Sequence, residues 1–292
     1  MPLALRMAGA ACVAAMFVAA LPLRAADDGL RVVQHARALA PGEVVALSVA
    51  APPAVTAVTT QWRERALDFV RLADGRWHAL VGLDVEEKPG PRRLTIVARR
   101  AGTADLSQVY PFTIEPKQWR TRNLTVARRF VTPPASALPR IEKETALLNA
   151  LFREASAERF WDGAWERPVE GVAVSGFGVR SVLNGQPRGP HNGADFAAGT
   201  GTPILAPAGG VVAYAREFYY SGNTVILDHG FGLYSTMAHL SAFDVKEGAR
   251  VSRGQLLGKV GATGRVTGPH LHWSVRVSGA RVDPESLLTA TE

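Results

Sequence analysis

The residues of this sequence best suited to chemistry are histidines near its carboxyl end. Residues 270–277, His-Leu-His-Trp-Ser-Val-Arg-Val, alternate polar and apolar side chains. Because side chains alternate between the two faces of a strand, the apolar set forms one face and the polar set the other. The run therefore predicts a strand with two neighbouring imidazoles, His270 and His272, on its open face. A His-x-His pair alone is a weak indication of a metal site.

A second candidate element is His191-Asn192-Gly193-Ala194-Asp195. The central glycine disfavours a helix, and a fully extended strand would separate the two Cα atoms by about 13 Å, too far for joint ligation. A bend near Asn192-Gly193 would aim both side chains at one point. Together with His272, His191 and Asp195 would leave the fourth position of a tetrahedral zinc open for water, as in catalytic sites. The alternative is an aspartate that accepts a hydrogen bond from a surface histidine.

A third element, Tyr-Ser-Thr-Met-Ala-His-Leu at 234–240, contains His239. Strand alternation places His239 on one face with Ser235 and Met237, so we expect both His239 and Met237 to face the same groove as the other histidines. His35 and His78 lie far upstream without a partner at ligand spacing, and we interpret both as structural or exposed.

The elements that must position these residues are mainly β. Residues 27–115 show short apolar runs separated by turn signals and predict an immunoglobulin-like β-sandwich. Residues 116–170 predict a connector with one helix, whose stripe of Ile141, Leu148, Leu151 and Phe152 we expect to pack in the core between the domains. Its basic cluster at 120–129 is interpreted as exposed surface rather than a site for an anionic polymer. Residues 171–292 predict an antiparallel β domain, with strands at 203–206, 210–216, 224–228, 233–239 and 270–277.

These residues resemble the zinc metallopeptidases of the lysostaphin and LytM type, peptidase family M23, which cleave peptidoglycan peptides. The resemblance covers nearly all of residues 175–288. It is carried by Ser-Gly-Phe-Gly-Val-Arg at 175–180, Asn184-Gly185, His191-x-x-x-Asp195-Phe196, Gly201-Thr202-Pro203, Ala238-His239-Leu240, Gly254-Gln255 and Thr-Gly-Pro-His-Leu-His at 267–272. Each piece is weak alone, whereas all of them in this order form a strong signal. The upstream region is similar to the β-sandwich domain that precedes many such catalytic domains.

The resemblance implies one Zn²⁺ per chain, with His191, Asp195 and His272 as zinc ligands and with His239 and His270 as the unligated catalytic pair. One departure is Met237, where the family often has an aromatic residue, and this puts substrate contacts in doubt more than zinc chemistry. His229 also matches a frequent family pattern, as a structural position.

Composition fits this interpretation. The chain has 292 residues, 47% of them hydrophobic, a formal net charge of +7 and one cysteine, Cys12. One cysteine excludes an intramolecular disulfide and a cysteine-based zinc site, and no cysteine nucleophile remains if residues 1–26 are removed. Those residues resemble a secretory signal peptide, with retention as a membrane anchor as the alternative. We therefore expect an exported protein of the periplasm or cell envelope, with secretion as the alternative, and without stable membrane insertion after cleavage.

The leading functional hypothesis is a zinc-dependent endopeptidase that hydrolyses peptide crosslinks of peptidoglycan in cell-wall remodelling. One alternative is a non-catalytic LytM-like protein that activates a cell-wall amidase, and another is a zinc peptidase that acts on glycine-rich protein. Expected partners are the peptidoglycan peptide and, in addition, an envelope regulator protein. No nucleic-acid partner is expected. Which peptide bond is cut stays open at this point.

Overall fold

The structure is a computed structural model in which residues 29–125 and 131–291 are described. The predicted signal peptide, residues 1–26, lies outside the described residues, as do Arg128 and Arg129 of the basic cluster. Neither helix in the described part of the chain combines the length and hydropathy needed to cross a bilayer. The described chain is mainly β, as the sequence predicts.

The first eight strands form a sandwich of two four-stranded antiparallel sheets. One sheet has the order β1-β2-β6-β5 and the other the order β4-β3-β7-β8. Apolar side chains that alternate along each strand meet between the sheets, where Leu47, Leu94 and Ile96 are at most 1% exposed. The strands are β1 Arg31–His35, β2 Val44–Ala50, β3 Val55–Trp62, β4 Arg65–Asp68, β5 Val70–Arg71, β6 Trp77–Gly82, β7 Gly90–Arg100 and β8 Leu106–Ile114.

A connector follows, with a short strand β9 (Thr121–Leu124), a 3-10 turn (Ala135–Ala137) and helix α1 (Leu138–Leu151). The predicted helix is present, but the prediction that its apolar stripe packs in the core is wrong. No residue of α1 is buried, and Leu148 and Phe152 line an open groove instead. Helical periodicity identifies an apolar face, but it does not show whether that face meets a core or the rim of a cavity.

The remaining strands build a ten-stranded sheet with the path β10-β13-β20-β17-β16-β15-β18, to which β14, β19 and β21 are attached, and a small sheet β12-β11-β9. All five strands predicted here are present. Their core contains Phe196, Met237 and Trp273, each 0% exposed. The elements are β10 Ala173–Ser175, β11 Arg180–Leu183, β12 Gln186–Pro190, β13 Gly193–Phe196, β14 Pro203–Leu205, β15 Gly210–Phe218, β16 Gly222–Gly230, β17 Leu233–Phe243, β18 Arg250–Val251, β19 Leu256–Val260, β20 Leu271–Val277, β21 Ala280–Val282 and helix α2 Pro284–Ala290.

The sandwich packs directly on the C-terminal sheet. Gly82 at the end of β6 lies so close to that sheet that a Cβ atom there would stand 2.9 Å from the Cβ atoms of both Val277 and Ala280. The backbone N–H of Val44 donates to Oγ of Ser286 at 2.8 Å, and Asp84 accepts three hydrogen bonds from Arg281. The predicted domain boundaries, 27–115, 116–170 and 171–292, stay a prediction.

Candidate metal centre

Strand β20 presents its side chains as the alternating sequence predicts. Leu271 and Trp273 are 0% exposed in the core, whereas His272, Ser274 and Arg276 line a groove on the opposite face. His270 lies one residue before the strand, in an isolated bridge with Gly261, and lines the same groove. Two imidazoles therefore lie near each other in the lining of the groove.

The segment from His191 to Asp195 bends as expected. Strand β12 ends at Pro190 and β13 begins at Gly193, so His191 and Asn192 form the connection between them. Strand β13 then pairs antiparallel with β20, with Asp195 opposite His272. Gly193 is required here, because a Cβ atom would lie 2.4 Å from the carbonyl oxygen of Trp273 and 2.7 Å from Cε1 of His272.

Three side-chain atoms converge at this place. Nε2 of His191 lies 3.1 Å from Oδ1 of Asp195 and 3.1 Å from Nδ1 of His272, and Nδ1 of His272 lies 2.8 Å from the same Oδ1. Among the described residues, these three are the one group of histidine, cysteine and carboxylate side chains with the spacing to hold a metal ion. The structure thus brings together all three residues that the sequence nominates, while their role as ligands stays a prediction.

The hydrogen bonds of His191 test whether a metal ion fits. Its Nδ1 lies 3.0 Å from the carbonyl oxygen of Gly176, which can only accept, so Nδ1 carries the hydrogen and Nε2 of the neutral ring holds a lone pair. That lone pair faces another ring nitrogen and a carboxylate oxygen at 3.1 Å. Burial alone would raise the pKa of Asp195, but its close contacts with the imidazoles of His191 and His272 bring it well below its ordinary value. An ionised carboxylate and two nitrogen donors suit a divalent cation such as Zn²⁺.

His239 lines the groove because of a β-bulge, which strand alternation does not predict. Its φ is +68°, and the pairing of β16 with β17 shifts register between Val225 opposite Met237 and Asn223 opposite Leu240. This bulge at Ala238–His239 turns His239 to the face of Thr236 and Ala238, which line the groove. The expectation that Met237 faces the groove is wrong, because Met237 is 0% exposed in the core.

His239 and His270 stand together beside the three converging atoms, with ring centroids 4.9 Å apart. Nδ1 of His239 donates to the carbonyl of Thr263 at 2.9 Å, and Nδ1 of His270 donates to that of Gly268 at 2.9 Å. In the neutral rings, the Nε2 atoms are therefore the free proton acceptors. Burial lowers the pKa of His239 to about 4, which keeps this ring neutral near pH 7.

The groove is a cavity of about 1050 Å³ that contains all five residues. Its floor is the polar face of β16, β17 and β20, and its walls include β9, which pairs in parallel with β11, and the last turn of α1. Sequence reasoning missed the wall residues Arg122 and Asn149, having assigned the basic cluster to solvent. No periodic signal marks them, since they belong to a connector whose position depends on tertiary packing.

His229 lies in the interior and does not line the groove. It is 0% exposed, its Nδ1 donates to the carbonyl of Gly209, its Nε2 accepts from Oγ of Ser235, and its ring packs against Trp165 with ring centroids 4.4 Å apart. His78 pairs with Asp74 at the surface, and His35 lies 3.1 Å from the carbonyl of Thr289. None of these three histidines approaches the cluster formed by His191, Asp195 and His272, which we call the metal-type cluster. Their positions agree with the interpretation of them as structural or exposed residues.

Fold and site together define a class of protein: an antiparallel β domain with a His/Asp/His cluster of metal-ligand spacing and two further histidines in an open groove. Comparison with known proteins gives the family. The sequence profile of peptidase family M23 matches residues 189–284. The crystal structure of a candidate M23 peptidase from Pseudomonas aeruginosa is 35% identical, with a TM-score of 0.66 over 86% of this chain and 95% of that one. The chain belongs to peptidase family M23.

Two curated relatives add detail. Peptidoglycan DD-endopeptidase ShyA of Vibrio cholerae is 49% identical over 94 residues, which are 32% of this chain and 22% of ShyA. Cell division protein DipM of Caulobacter vibrioides is 34% identical over 177 residues, 60% of this chain and 27% of DipM. The chain thus spans about a quarter or less of the length of these curated relatives.

Proposed function

We propose that this protein is a zinc-dependent endopeptidase that hydrolyses peptide crosslinks of peptidoglycan during cell-wall remodelling. The observation that carries the proposal is the convergence of Nε2 of His191, Oδ1 of Asp195 and Nδ1 of His272 within 3.1 Å of one another at one end of an open groove. Membership of a peptidase family and the name of ShyA support it. We also propose an envelope or periplasmic location, in keeping with the signal-like residues 1–26.

In this proposal His191, Asp195 and His272 hold the metal. Bound zinc supplies Lewis acidity, which polarises the scissile carbonyl and brings the pKa of water from about 15.7 to about 7. The groove holds an extended peptide against the polar face of β20. His270 accepts the proton of the attacking water at Nε2, which lies 3.9 Å from Oδ1 of Asp195. His270 gives this proton to the leaving amine, directly or through the neighbouring His239. His239 can stabilise the developing oxyanion only while its Nε2 carries that proton, because its Nδ1 hydrogen is bonded to the carbonyl of Thr263.

The test is digestion of purified sacculi by the protein, by His272→Ala and by the control His78→Ala, whose histidine lies on the sandwich surface. We expect the protein and the control to release crosslink fragments and to retain about one equivalent of zinc. The His272→Ala variant should still unfold cooperatively, but it should lose the metal, together with at least about 1000-fold in rate.

Equal fragment release by the protein and His272→Ala would contradict the proposal. So would release by neither protein while both stimulate a cell-wall amidase, which is the outcome expected of a non-catalytic activator. Less than about half an equivalent of zinc in the folded protein would contradict the ligand assignment. Muropeptide mass analysis of the fragments identifies the bond that is cut.

A further inference from the structure

The groove carries a strong excess of positive charge. Four arginines line it, and among the described lining residues the sole acid is Asp195, which the proposed metal site already uses. A bound divalent cation would add to this excess. The four arginines come from the connector, the small sheet, the 261–270 loop and strand β20: Arg122, Arg188, Arg265 and Arg276.

Arg122 and Arg188 form the wall next to the metal-type cluster. Arg122 donates from Nε to Oγ of Ser181 at 3.0 Å, and its charge acts on His191. Arg188 donates to the carbonyl of Val131 at 2.6 Å, while its buried Nε has no hydrogen-bond partner. Within the described part of the chain, neither guanidinium pairs with a carboxylate. Both side chains line the groove, where a ligand can reach them.

Arg276 lies on the groove face of β20, two positions beyond Ser274 and four beyond His272. Its guanidinium stacks on Phe152 at 4.9 Å and donates to the carbonyl of Gly279 at 3.2 Å. Burial lowers the pKa of Arg276 to about 10, because the charge is removed from water without a bonded anion. Asp84, whose charge also acts on Arg276, is hydrogen-bonded to Arg281 instead.

The lack of carboxylate partners for Arg122, Arg188 and Arg276 contrasts with a set of arginines elsewhere in the described chain. These arginines pair with carboxylates at 2.5 to 3.3 Å: Arg37 with Glu43, Arg92 with Glu87, Arg140 with Glu144, Arg167 with Glu285, Arg216 with Glu247, Arg250 with Glu158 and Arg281 with Asp84. Burying or half-burying a cation without an anion costs desolvation free energy, and the fold supplies no carboxylate to offset this cost for the groove arginines. An anionic ligand bound in the groove would offset it.

We infer that the groove selects crosslinked peptides that carry free carboxylates, and that Arg122, Arg188 and Arg276 are the specificity-determining residues that bind them. This inference rests on the proposed function, whose substrate class it narrows. Guanidinium groups form paired, charge-assisted hydrogen bonds with carboxylates. A crosslink of acidic amino acids offers such groups on either side of the scissile amide, whereas a bridge of glycines offers none.

The experiment compares a crosslinked muropeptide dimer with the same dimer after its carboxylates have been converted to carboxamides. The scissile amide is identical in both, so only the charge differs. The enzyme variants are Arg122→Gln, Arg276→Gln and Arg276→Lys, and the matched control is Arg250→Gln, which removes an arginine that pairs with Glu158 outside the groove. Thermal unfolding checks each variant, and the exposed Arg122 keeps the test decisive where Arg276→Gln fails to fold.

We expect the protein to cleave the free-carboxylate dimer with a kcat/KM at least about 10-fold higher than the amidated dimer. The variants Arg122→Gln and Arg276→Gln should lose most of that preference, chiefly by cleaving the charged dimer more slowly. Arg276→Lys should recover part of it, and Arg250→Gln should match the unsubstituted protein. Equal cleavage of both dimers, or an equal effect of the substitutions on both, would overturn the inference and leave the proposed function standing.

If neither dimer is cleaved, the proposed function fails, and binding of the two fluorescently labelled dimers decides the inference by itself. Binding of the charged dimer roughly 10-fold more tightly than the amidated one, with the preference lost in Arg122→Gln, supports a carboxylate-selective groove. Equal binding of the two dimers, or binding of neither, overturns it.

Discussion

Arginines at the contact between the sandwich and the C-terminal sheet differ from those in the groove. At the contact, Arg281 donates to Asp84 from its backbone N–H, Nε and Nη2, and Asp84 is 4% exposed. In the groove, Arg122, Arg188 and Arg276 bond to hydroxyl, amide and carbonyl oxygens, with no carboxylate partner among the described residues. The charge of Arg281 is matched by a carboxylate inside the chain, whereas the charges of Arg122, Arg188 and Arg276 are not, and these three residues line an open cavity. The first kind should control stability and the second kind ligand binding.

Removing Asp84 at this contact should have the largest effect on stability. Asp84→Ala leaves Arg281 without its buried partner, so the free energy of unfolding should fall by about 3 to 5 kcal/mol, as urea titration would measure. The matched control is Glu158→Ala, where both side chains of the ion pair are more than 60% exposed and a loss below about 1 kcal/mol is expected. Similar losses in both variants would remove the distinction between buried and exposed pairs.

Replacing an arginine by methionine in each region compares the two directly. Arg281→Met leaves the carboxylate of Asp84 with only the longer ion pair to Arg63, at 3.6 Å, and should cost about 3 kcal/mol of stability. Arg276→Met removes a buried charge that has no bonded anion, so the free energy of unfolding should change by less than about 1 kcal/mol while cleavage of the charged dimer slows. If Arg276→Met is the less stable of the two, the charge of Arg276 is matched inside the fold and the comparison fails.

The stability that the pair of Asp84 and Arg281 contributes should also depend on pH, within one pH range. Burial would raise the pKa of Asp84, but hydrogen bonds from Arg281 outweigh it and lower the pKa to about 2 from an ordinary 3.8. Because the folded pKa is the lower one, the carboxylate stabilises the fold fully above about pH 4 and loses this contribution, about 2 kcal/mol, as pH falls toward 2. The stability difference between the protein and Asp84→Asn should shrink over that window. A difference that stays constant from pH 6 to pH 2 would contradict the prediction.

The smallest expected effect is that of salt, which should weaken substrate cleavage in the groove but not the stability of the contact. Raising ionic strength from about 0.05 M to 0.5 M shortens the screening length several-fold, so kcat/KM for the charged dimer should fall by about 3-fold to 10-fold. The amidated dimer should be cleaved at nearly the same rate throughout. The stability lost in Asp84→Ala should also stay nearly constant, because a buried pair is screened little. Equal salt dependence of both substrates would mean that the groove charge does not reach the ligand.

Much of the site follows from local pattern. The alternation of residues 270–277 fixes which side chains share a face, and the structure confirms it, with Trp273 buried and His272 in the groove. The bend between His191 and Asp195 follows from the glycine between them and the length of an extended chain. The five strands predicted in this part are present because short apolar runs bounded by glycine form strands in the interior of a sheet.

The errors concern features that no local pattern contains. A bulge with a positive φ at His239 places His239 on the groove face of β17 and leaves Met237 on the opposite, core face. The bulge is stabilised by pairing with β16 and by the hydrogen bond from His239 to the carbonyl of Thr263. The apolar stripe of α1 lines a groove rather than a core, and the helix contacts the C-terminal sheet through Glu144, which accepts from the backbone N–H of Tyr219 at 2.7 Å. Such a contact between residues 75 positions apart is not contained in helical periodicity.

The sequence by itself determined the mainly β class, the resemblance to family M23 and the residues that are brought together, since these depend on periodicity, turn chemistry and the order of short motifs. Only the tertiary structure decided which arginines have carboxylate partners. Arg276 and Arg281 are five residues apart in one stretch of sequence, yet one faces the groove and the other binds Asp84, 197 positions away in the sandwich. Long-range packing sets the distance between charges, and that distance determines whether a charge stabilises the fold or stays available to a ligand.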